Sequence, residues 1–288
     1  MTTTANDQKK LPLLSIAIGF LDCTRLDKDA TTYLLLSQNS VQEAYEFSVV
    51  DLDAHAGDLH IATLDVAHEI DGDKYLDRCR QAIHRLNQYV SESWSEAASP
   101  IKNDIKWFVI TEVPFEGNYY MYGTSTLSVI SLANWSKDMA PPSLLEFILR
   151  QTQASIPLFL GAAENHYDTR GCIGDFTVNL GEAKQHVLIG HICHECARAI
   201  QKVHGHTGLD ALRMLLNKSW IGSTDTVTSV AAIMKKTFGY DLYITKGFST
   251  SFMEKVKSAL LTGVVQEFLK LSGAVILAWA LLKFGLKQ

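Results

Sequence analysis

The chain has 288 residues, 47% of them hydrophobic and 20% charged, which suits one or two globular domains and excludes a largely disordered protein. Its formal net charge of −5 gives no basic footprint, so direct binding to nucleic acid is not expected. The polar stretch Met1–Lys10 lacks the apolar core of a secretory signal, and the use of five cysteines fits a reducing cytosol, so a cytoplasmic protein is expected.

Apolar runs rich in β-formers alternate with helical patterns along the first half of the chain. Between Asp73 and Trp94 apolar residues recur at helical spacing, which predicts an amphipathic helix. A capping box from Ser143 to Glu146 predicts the start of another helix, which should end near Pro157. We therefore expect an α/β (α+β) fold, with a mixed sheet and flanking helices. The predicted strands are Leu13–Phe20, Tyr45–Leu52, Asp104–Thr111 and Ser125–Leu132.

A cluster of zinc-ligand residue types follows these elements. Cys172, Cys193 and Cys196 lie close together in the sequence, the last two as a CxxC pair, and His166 precedes them. Thiolates and an imidazole are the ligands of a tetrahedral structural Zn²⁺, and the loop between the two cysteine groups is long enough to fold back. The spacing predicts a Cys3His zinc site.

Other readings of the same residues stay open. His191 and His194 flank the CxxC pair, and His186 is close by, so any of the three could replace His166 as the fourth ligand. The cysteines could also be ordinary buried side chains. A redox CxxC would need a βαβ setting with the pair opening a helix. The clustering with a third cysteine and with histidines favours a metal.

The order of the elements and the cysteine module resemble the archaemetzincins, a family of metzincin-type zinc peptidases, over roughly residues 10–205. The family pattern is HExxHxxGxxH followed by a cysteine, CxM and CxxC. Here Cys172-Ile173-Gly174 stands in place of CxM, and Cys193–Cys196 matches CxxC. His166, displaced by one residue, best matches the first cysteine of the module. The resemblance implies the family's fold and a structural zinc.

The catalytic half of that pattern is missing from the chain. When Gly161 is placed on the motif glycine, Ala154 and Leu158 stand at the first two histidine positions, Ser155 at the glutamate and Glu164 at the third histidine. A zinc hydrolase needs three ligands, an open position for water and a general base. The resemblance thus implies a pseudoenzyme and argues against peptidase chemistry.

A second group of polar residues follows the second predicted strand. It comprises Asp51, Asp53, His55, Asp58 and His60. Such a cluster could bind a metal or act in acid–base chemistry. A solvated strand end and turn explains it more simply.

The last part of the chain is helical in pattern. Leu271–Leu282 carries no charge on any face, and the longer stretch Phe268–Leu286 approaches the ~20 residues that a membrane span needs. Lys270 and Lys283 would then reach the two interfaces. We expect residues 268–288 to associate with the inner or plasma membrane, with a buried or oligomerisation helix as the alternative.

Two domains are predicted, an α/β domain with the zinc module over residues 1–205 and a helical region over residues 206–288. The expected function is a non-enzymatic, zinc-stabilised sensor or effector that acts at a membrane, in the layout of a bacterial defence or stress effector. Its partner would be another protein or a second copy of the chain. The alternative is a zinc-dependent hydrolase with a non-standard active site.

Overall fold

The computed structural model describes residues 12–62, 64–93, 105–135, 139, 141–162, 166, 171–176 and 180–242. All of them belong to one compact unit, Met1–Gly247. The strands of the described part are β1 (Leu14–Phe20), β2 (Tyr45–Asp51), β3 (Lys106–Thr111), β4 (Met121–Gly123) and β5 (Leu127–Ser131). Its helices are α1 (Lys28–Leu36), α2 (Gly72–Ser93), α3 (Leu144–Phe159), α4 (Leu180–Ile189), α5 (His194–Leu216) and α6 (Val230–Ile233), the last continued by a π-helical turn over Met234–Phe238.

The strands form one mixed sheet in the order β2-β1-β3-β5-β4. Strands β2, β1, β3 and β5 are parallel to one another, and β4 runs antiparallel to β5 at one edge. The predicted α/β (α+β) class with a mixed sheet is therefore confirmed. The four predicted strands all occur, whereas β4 has no counterpart in the sequence prediction.

The central strands are buried on both faces, which explains their continuous apolar runs. On one face Ala17, Val109 and Val129 pack with α2, chiefly through Tyr75 and Cys79. The other face meets α1 and α3. α3 begins after its N-cap Ser143 and ends at Phe159, near Pro157 as predicted, with Pro157 itself in the last turn.

A buried arginine joins α3 to the ends of α4 and α5. The Arg150 side chain donates to the Val187 carbonyl at 3.3 Å, to the Leu216 carbonyl at 3.0 Å and to Gln153 Oε1 at 2.7 Å. Val187 and Leu216 lie in the last turns of their helices, where the helix dipoles favour a positive charge. Burial nevertheless lowers the pKa of Arg150 to about 10.

Long-range hydrogen bonds tie the first third of the chain to the last described helices. The Tyr45 hydroxyl donates to the Gly208 carbonyl at 2.5 Å, between residues 163 positions apart. Gln153 donates to Gln38 Oε1 at 3.1 Å and to the Leu215 carbonyl at 3.2 Å. All three of these hydrogen bonds are buried, so β2, the turn that follows α1, α3 and α5 share one core.

The polar group after β2 is a structural network rather than a site. Lys28 Nζ pairs with Asp51 at 2.7 Å and with Asp53 at 2.9 Å. Asp53 also accepts the backbone N–H groups of Asp22 and Cys23, so it fixes the turn that follows β1. The three remaining members, His55, Asp58 and His60, are exposed.

The predicted boundary after residue 205 falls inside α5. The helix contains one residue of non-helical conformation, Gly205, with φ 67° and ψ −168°. Helical structure therefore continues on both sides of the boundary. The division into two domains stays a prediction.

The expected membrane association is overturned. Among the residues that the structure describes, no helix is both long and apolar enough to cross a membrane. α3 is apolar, but its 16 residues extend only about 24 Å, short of a hydrocarbon core of roughly 30 Å. α2 and α5 are longer but carry many charged side chains. Residues 268–288, on which the prediction of a membrane anchor rests, lie outside the described part.

A glycine pair tests the role of Arg150. Gly190 has φ +59°, and a Cβ there would overlap the Arg150 guanidinium, whereas Gly161 has φ +64° and open space around it. Gly190→Ala should therefore break the hydrogen bond from Arg150 to Leu216 and also strain the backbone, which together should lower the free energy of unfolding by about 2–3 kcal/mol. Gly161→Ala should cost only about 1 kcal/mol. Urea unfolding of both variants measures the difference, and equal losses would show that Arg150 does not hold this junction.

Candidate metal centre

The predicted ligands lie on a tight turn and at the start of a helix. His166 N donates to the Gly174 carbonyl at 2.8 Å, and Phe176 N donates back to the His166 carbonyl at 2.8 Å. Between them the chain turns at Cys172, whose carbonyl accepts from Asp175 N at 3.0 Å. This short ladder sets the His166 side chain against the sulphur of Cys172.

The CxxC pair opens α5. Cys193 is its N-cap, and Cys193 Sγ accepts the Cys196 N–H at 3.4 Å. The Cys193 N–H in turn donates to Cys172 Sγ at 3.3 Å. The free N–H groups at a helix N-terminus favour thiolates, so the geometry stabilises negative charge on these sulphurs.

The four ligand atoms converge on one point. Those of His166, Cys172, Cys193 and Cys196 all lie within 4.8 Å of one another. His166 Nε2 is 3.2 Å from Cys196 Sγ and 3.7 Å from Cys193 Sγ, and Cys172 Sγ is 4.0 Å from Cys196 Sγ. A zinc ion about 2.3 Å from each sulphur would set the sulphurs of a tetrahedron about 3.8 Å apart. The cluster therefore fits a metal ion of this kind, and metal binding itself stays a prediction.

His191 and His194 lie outside the cluster. His191 is exposed, and its carbonyl accepts from Ile173 N at 2.7 Å. His194 is exposed too, with Nε2 at 2.5 Å from Arg198 Nη2. The side chain of His186 is outside the described part of the chain. The geometry thus favours His166 as the fourth ligand.

Asp175 belongs to the centre although the sequence analysis missed it. Its Oδ1 is 3.1 Å from His166 Nδ1, and its Oδ2 accepts the Cys172 N–H at 2.9 Å. A carboxylate on Nδ1 holds the proton there and leaves the Nε2 lone pair for a metal. The only signal in the sequence is the position of Asp175 three residues after Cys172, which is also common for surface carboxylates.

Hydrogen bonds also act on the thiols of the centre. The contact between the Cys172 and Cys196 sulphurs, together with donation by the Cys193 and Gly174 N–H groups, lowers the pKa of Cys172 to about 5. The same contact, together with burial, raises the pKa of Cys196. A divalent cation would displace the remaining thiol protons.

The redox reading of the CxxC pair has less support. All five cysteines are free thiols. The pair does open a helix, but His191, two residues before it, belongs to an isolated bridge with Cys172 and not to a strand of the sheet. The βαβ setting of a redox CxxC is thus absent from the described residues.

A cavity of about 80 Å³ lies beside the centre. Its walls come from β4, from α3 and from the turn that carries Cys172. Ala154 and Leu158, which are predicted to stand at histidine positions of the archaemetzincin motif, both line it, and so does Asp175. Ser155 instead is buried and bonds to the Gln151 carbonyl, while Glu164 lies outside the described residues.

No other cluster that could hold a metal occurs among the described residues. The remaining cysteines, Cys23 and Cys79, are buried in the core, and burial raises both thiol pKa values. These two thiols are therefore unreactive packing residues.

Comparison with known proteins gives one remote structural similarity. No protein-family profile matches the chain, and no curated protein matches it by sequence. A search of solved structures finds the crystal structure of archaemetzincin from Methanopyrus kandleri, with 14% identity and a TM-score of 0.41, over 66% of this chain and 94% of that one. A similarity this distant assigns neither family nor activity.

The role of Asp175 can be tested through metal affinity. Asp175→Asn keeps the size of the side chain but weakens its acceptance from His166, so zinc affinity should fall roughly 10–100-fold. Competition with a chromophoric chelator measures this change. Asp210→Asn, at an exposed position of α5, is the matched control and should leave the affinity unchanged. Equal affinity of the two variants would contradict the orienting role.

Proposed function

We propose that this protein is a non-enzymatic binding protein whose fold depends on one structural zinc ion. The observation that carries the proposal is the convergence of four protein ligand atoms within 4.8 Å. Four protein ligands fill a tetrahedral zinc, whereas catalytic zinc sites keep one position for water. His166, Cys172, Cys193 and Cys196 would hold the ion.

The surroundings of the cluster favour a structural role. Cys172 and Cys196 are buried, and His166 is oriented by Asp175. Among residues 166 and 171–176, the described part of the turn, only isolated bridges occur, so a cross-link would add to the stability of this turn. A zinc ion would supply that folding energy, because the site cannot exist in the unfolded chain.

We propose that the ligand is an extended segment of a partner protein. β4 lies at one of the two edges of the sheet, and no described strand pairs with its outer side. Such an edge offers backbone donors and acceptors to an added strand. The cavity beside it, between Met121, Ala154 and Asp175, would receive one side chain of that segment. Zinc would act indirectly, by holding the wall that contains Asp175.

A zinc-dependent hydrolase is the second candidate. It is favoured by the position of the cavity, which lies between β4 and α3. Two residues of α3 that line it, Ala154 and Leu158, are predicted to replace histidines of the archaemetzincin motif. Catalysis there would need ligands other than those of the Cys3His cluster. The two candidates differ in stoichiometry, because hydrolysis requires a second zinc with an open position.

Zinc content tests the proposed function. The purified full chain should carry one zinc by elemental analysis. His166→Ala should lower the zinc content and the stability, because one of four ligands is removed. His191→Ala and His194→Ala are matched controls that should keep the ion. A folded wild-type protein without zinc would contradict the proposal, and two zinc ions per chain would favour the hydrolase.

Peptide display tests the proposed partner surface. Peptides selected from a random library on the zinc-loaded protein should lose roughly tenfold or more in affinity on Ala154→Leu, which fills the cavity. Ala199→Leu makes the same change at a half-buried position of α5 away from the cavity and should not matter. Absence of any selected peptide, or equal binding by both variants, would contradict this surface. Chelator-sensitive cleavage of a bound peptide would favour the hydrolase.

A further inference from the structure

We propose that Cys193 is an oxidation site, through which a peroxide releases the zinc ion from the centre. The inference rests on the proposed zinc centre and adds a regulation to it. It is carried by a difference in exposure among the three cysteines of the cluster. Cys193 is half-buried and open to solvent, whereas Cys172 and Cys196 are buried.

The position of Cys193 favours attack by its sulphur. It caps the N-terminus of α5, and its Sγ accepts the Cys196 N–H at 3.4 Å. Zinc binds cysteine in the thiolate form, and the thiolate that solvent reaches most easily is the one that peroxides oxidise first. The other two sulphurs have no such access, because Cys172 is enclosed by its own turn and Cys196 lies one helical turn inside α5.

The same cluster contains the groups that resolve the first product. Both other sulphurs lie within 4.8 Å of Cys193 Sγ. A movement of about 2.7 Å would bring either one to the ~2.05 Å of a disulfide bond. The oxidised cysteine would therefore react within the chain rather than with a second molecule.

The chemistry balances with hydrogen peroxide as the oxidant. The Cys193 thiolate attacks one peroxide oxygen, the O–O bond breaks, and hydroxide leaves and takes up a proton as the first water. The thiolate of Cys172 or Cys196 then attacks the Cys193 sulfenic acid, which forms the S–S bond, breaks the S–O bond and expels hydroxide. This hydroxide takes up a second proton from the solvent and becomes the second water. Two thiolates lose two electrons in all, and one peroxide with two protons is reduced to two waters.

Loss of two ligands would undo the centre. His166 and the remaining cysteine are too few to hold a structural zinc. A Cys193–Cys196 disulfide would leave the turn from Cys172 to Phe176 without its cross-link to α5. A Cys172–Cys193 disulfide would replace the four-ligand centre by a single, shorter link. Either product would displace the Asp175 wall of the cavity. Oxidation at one exposed sulphur would thus change the surface that is proposed to bind a partner.

The experiment treats the zinc-loaded full chain with hydrogen peroxide in the presence of a chromophoric zinc chelator. One zinc ion should be released for every two thiols lost. A 1,3-diketone that traps sulfenic acids should label Cys193 first in peptide maps, while Cys23 and Cys79 serve as internal controls and stay unlabelled. First labelling at Cys172 or Cys196, or retention of zinc in excess peroxide, would overturn the proposal.

A variant pair makes the assignment specific. Cys193→Asp offers zinc a carboxylate that peroxide does not oxidise, so release should be slower by roughly tenfold or more. Cys196→Asp also removes one thiol but keeps Cys193, so release should stay fast. Equal rates for the two variants would overturn the role of Cys193. Where a variant binds no zinc, pulsed alkylation of the zinc-loaded wild type decides instead, with Cys193 expected to react first and any other order overturning the proposal.

The zinc centre and the oxidation site at Cys193 can be disproved separately. Wild-type protein that is isolated without zinc contradicts the proposed function itself. Protein that contains one zinc and keeps it in peroxide contradicts the oxidation site alone.

Discussion

The buried guanidinium of Arg150 is the constraint on which the arrangement of the metal module depends. It is 3% exposed and donates to carbonyls at the ends of both helices of the module. An arginine in this environment must satisfy its donors, because an unpaired buried donor costs about 1–3 kcal/mol. The observed placement of α4 and α5 against α3 satisfies two of them with helix-end carbonyls. Val187 and Gly190, which lie against the guanidinium, come just before the CxxC pair, so the segment that leads to the ligands is held against α3.

The candidate centre and the cavity beside it share residues, so neither is independent of the other. Gly174 donates its N–H to Cys172 Sγ at 3.4 Å and also lines the cavity. Asp175 lines the same cavity and orients His166. A ligand in the cavity that prefers the ordered turn would bind the metal-loaded chain more tightly, and by linkage would tighten metal binding to the same degree. Coupling of this kind needs no movement of the sheet.

The sequence predicts most of the sheet and the four members of the cluster, because both depend on residue patterns that are local. The β-formers of β1, β3 and β5 are buried on both faces and give long apolar runs, whereas β2, at an edge of the sheet, begins with alternating buried and exposed residues. β4 escapes prediction because it is three residues long and set by its pairing with β5. Arg150 and Asp175 escape because a charged side chain within a helix or turn usually faces solvent, and only the tertiary structure encloses them. The membrane prediction is not supported, because no helix of the described residues is long and apolar enough to span a bilayer and residues 268–288 lie outside them.

The hydrogen bond from Tyr45 to Gly208 has a consequence for the order of folding. β2 is complete early in synthesis, yet the partner of its first side chain is made 163 residues later. The parallel pairing of β1 with β3 also waits for the intervening α2. Contacts of such long range are slow to form, since the chain loses loop entropy before they reward it. The core around β2 is therefore complete only when the second half of α5 has been made, and until then the apolar side chains of this edge lack part of their cover.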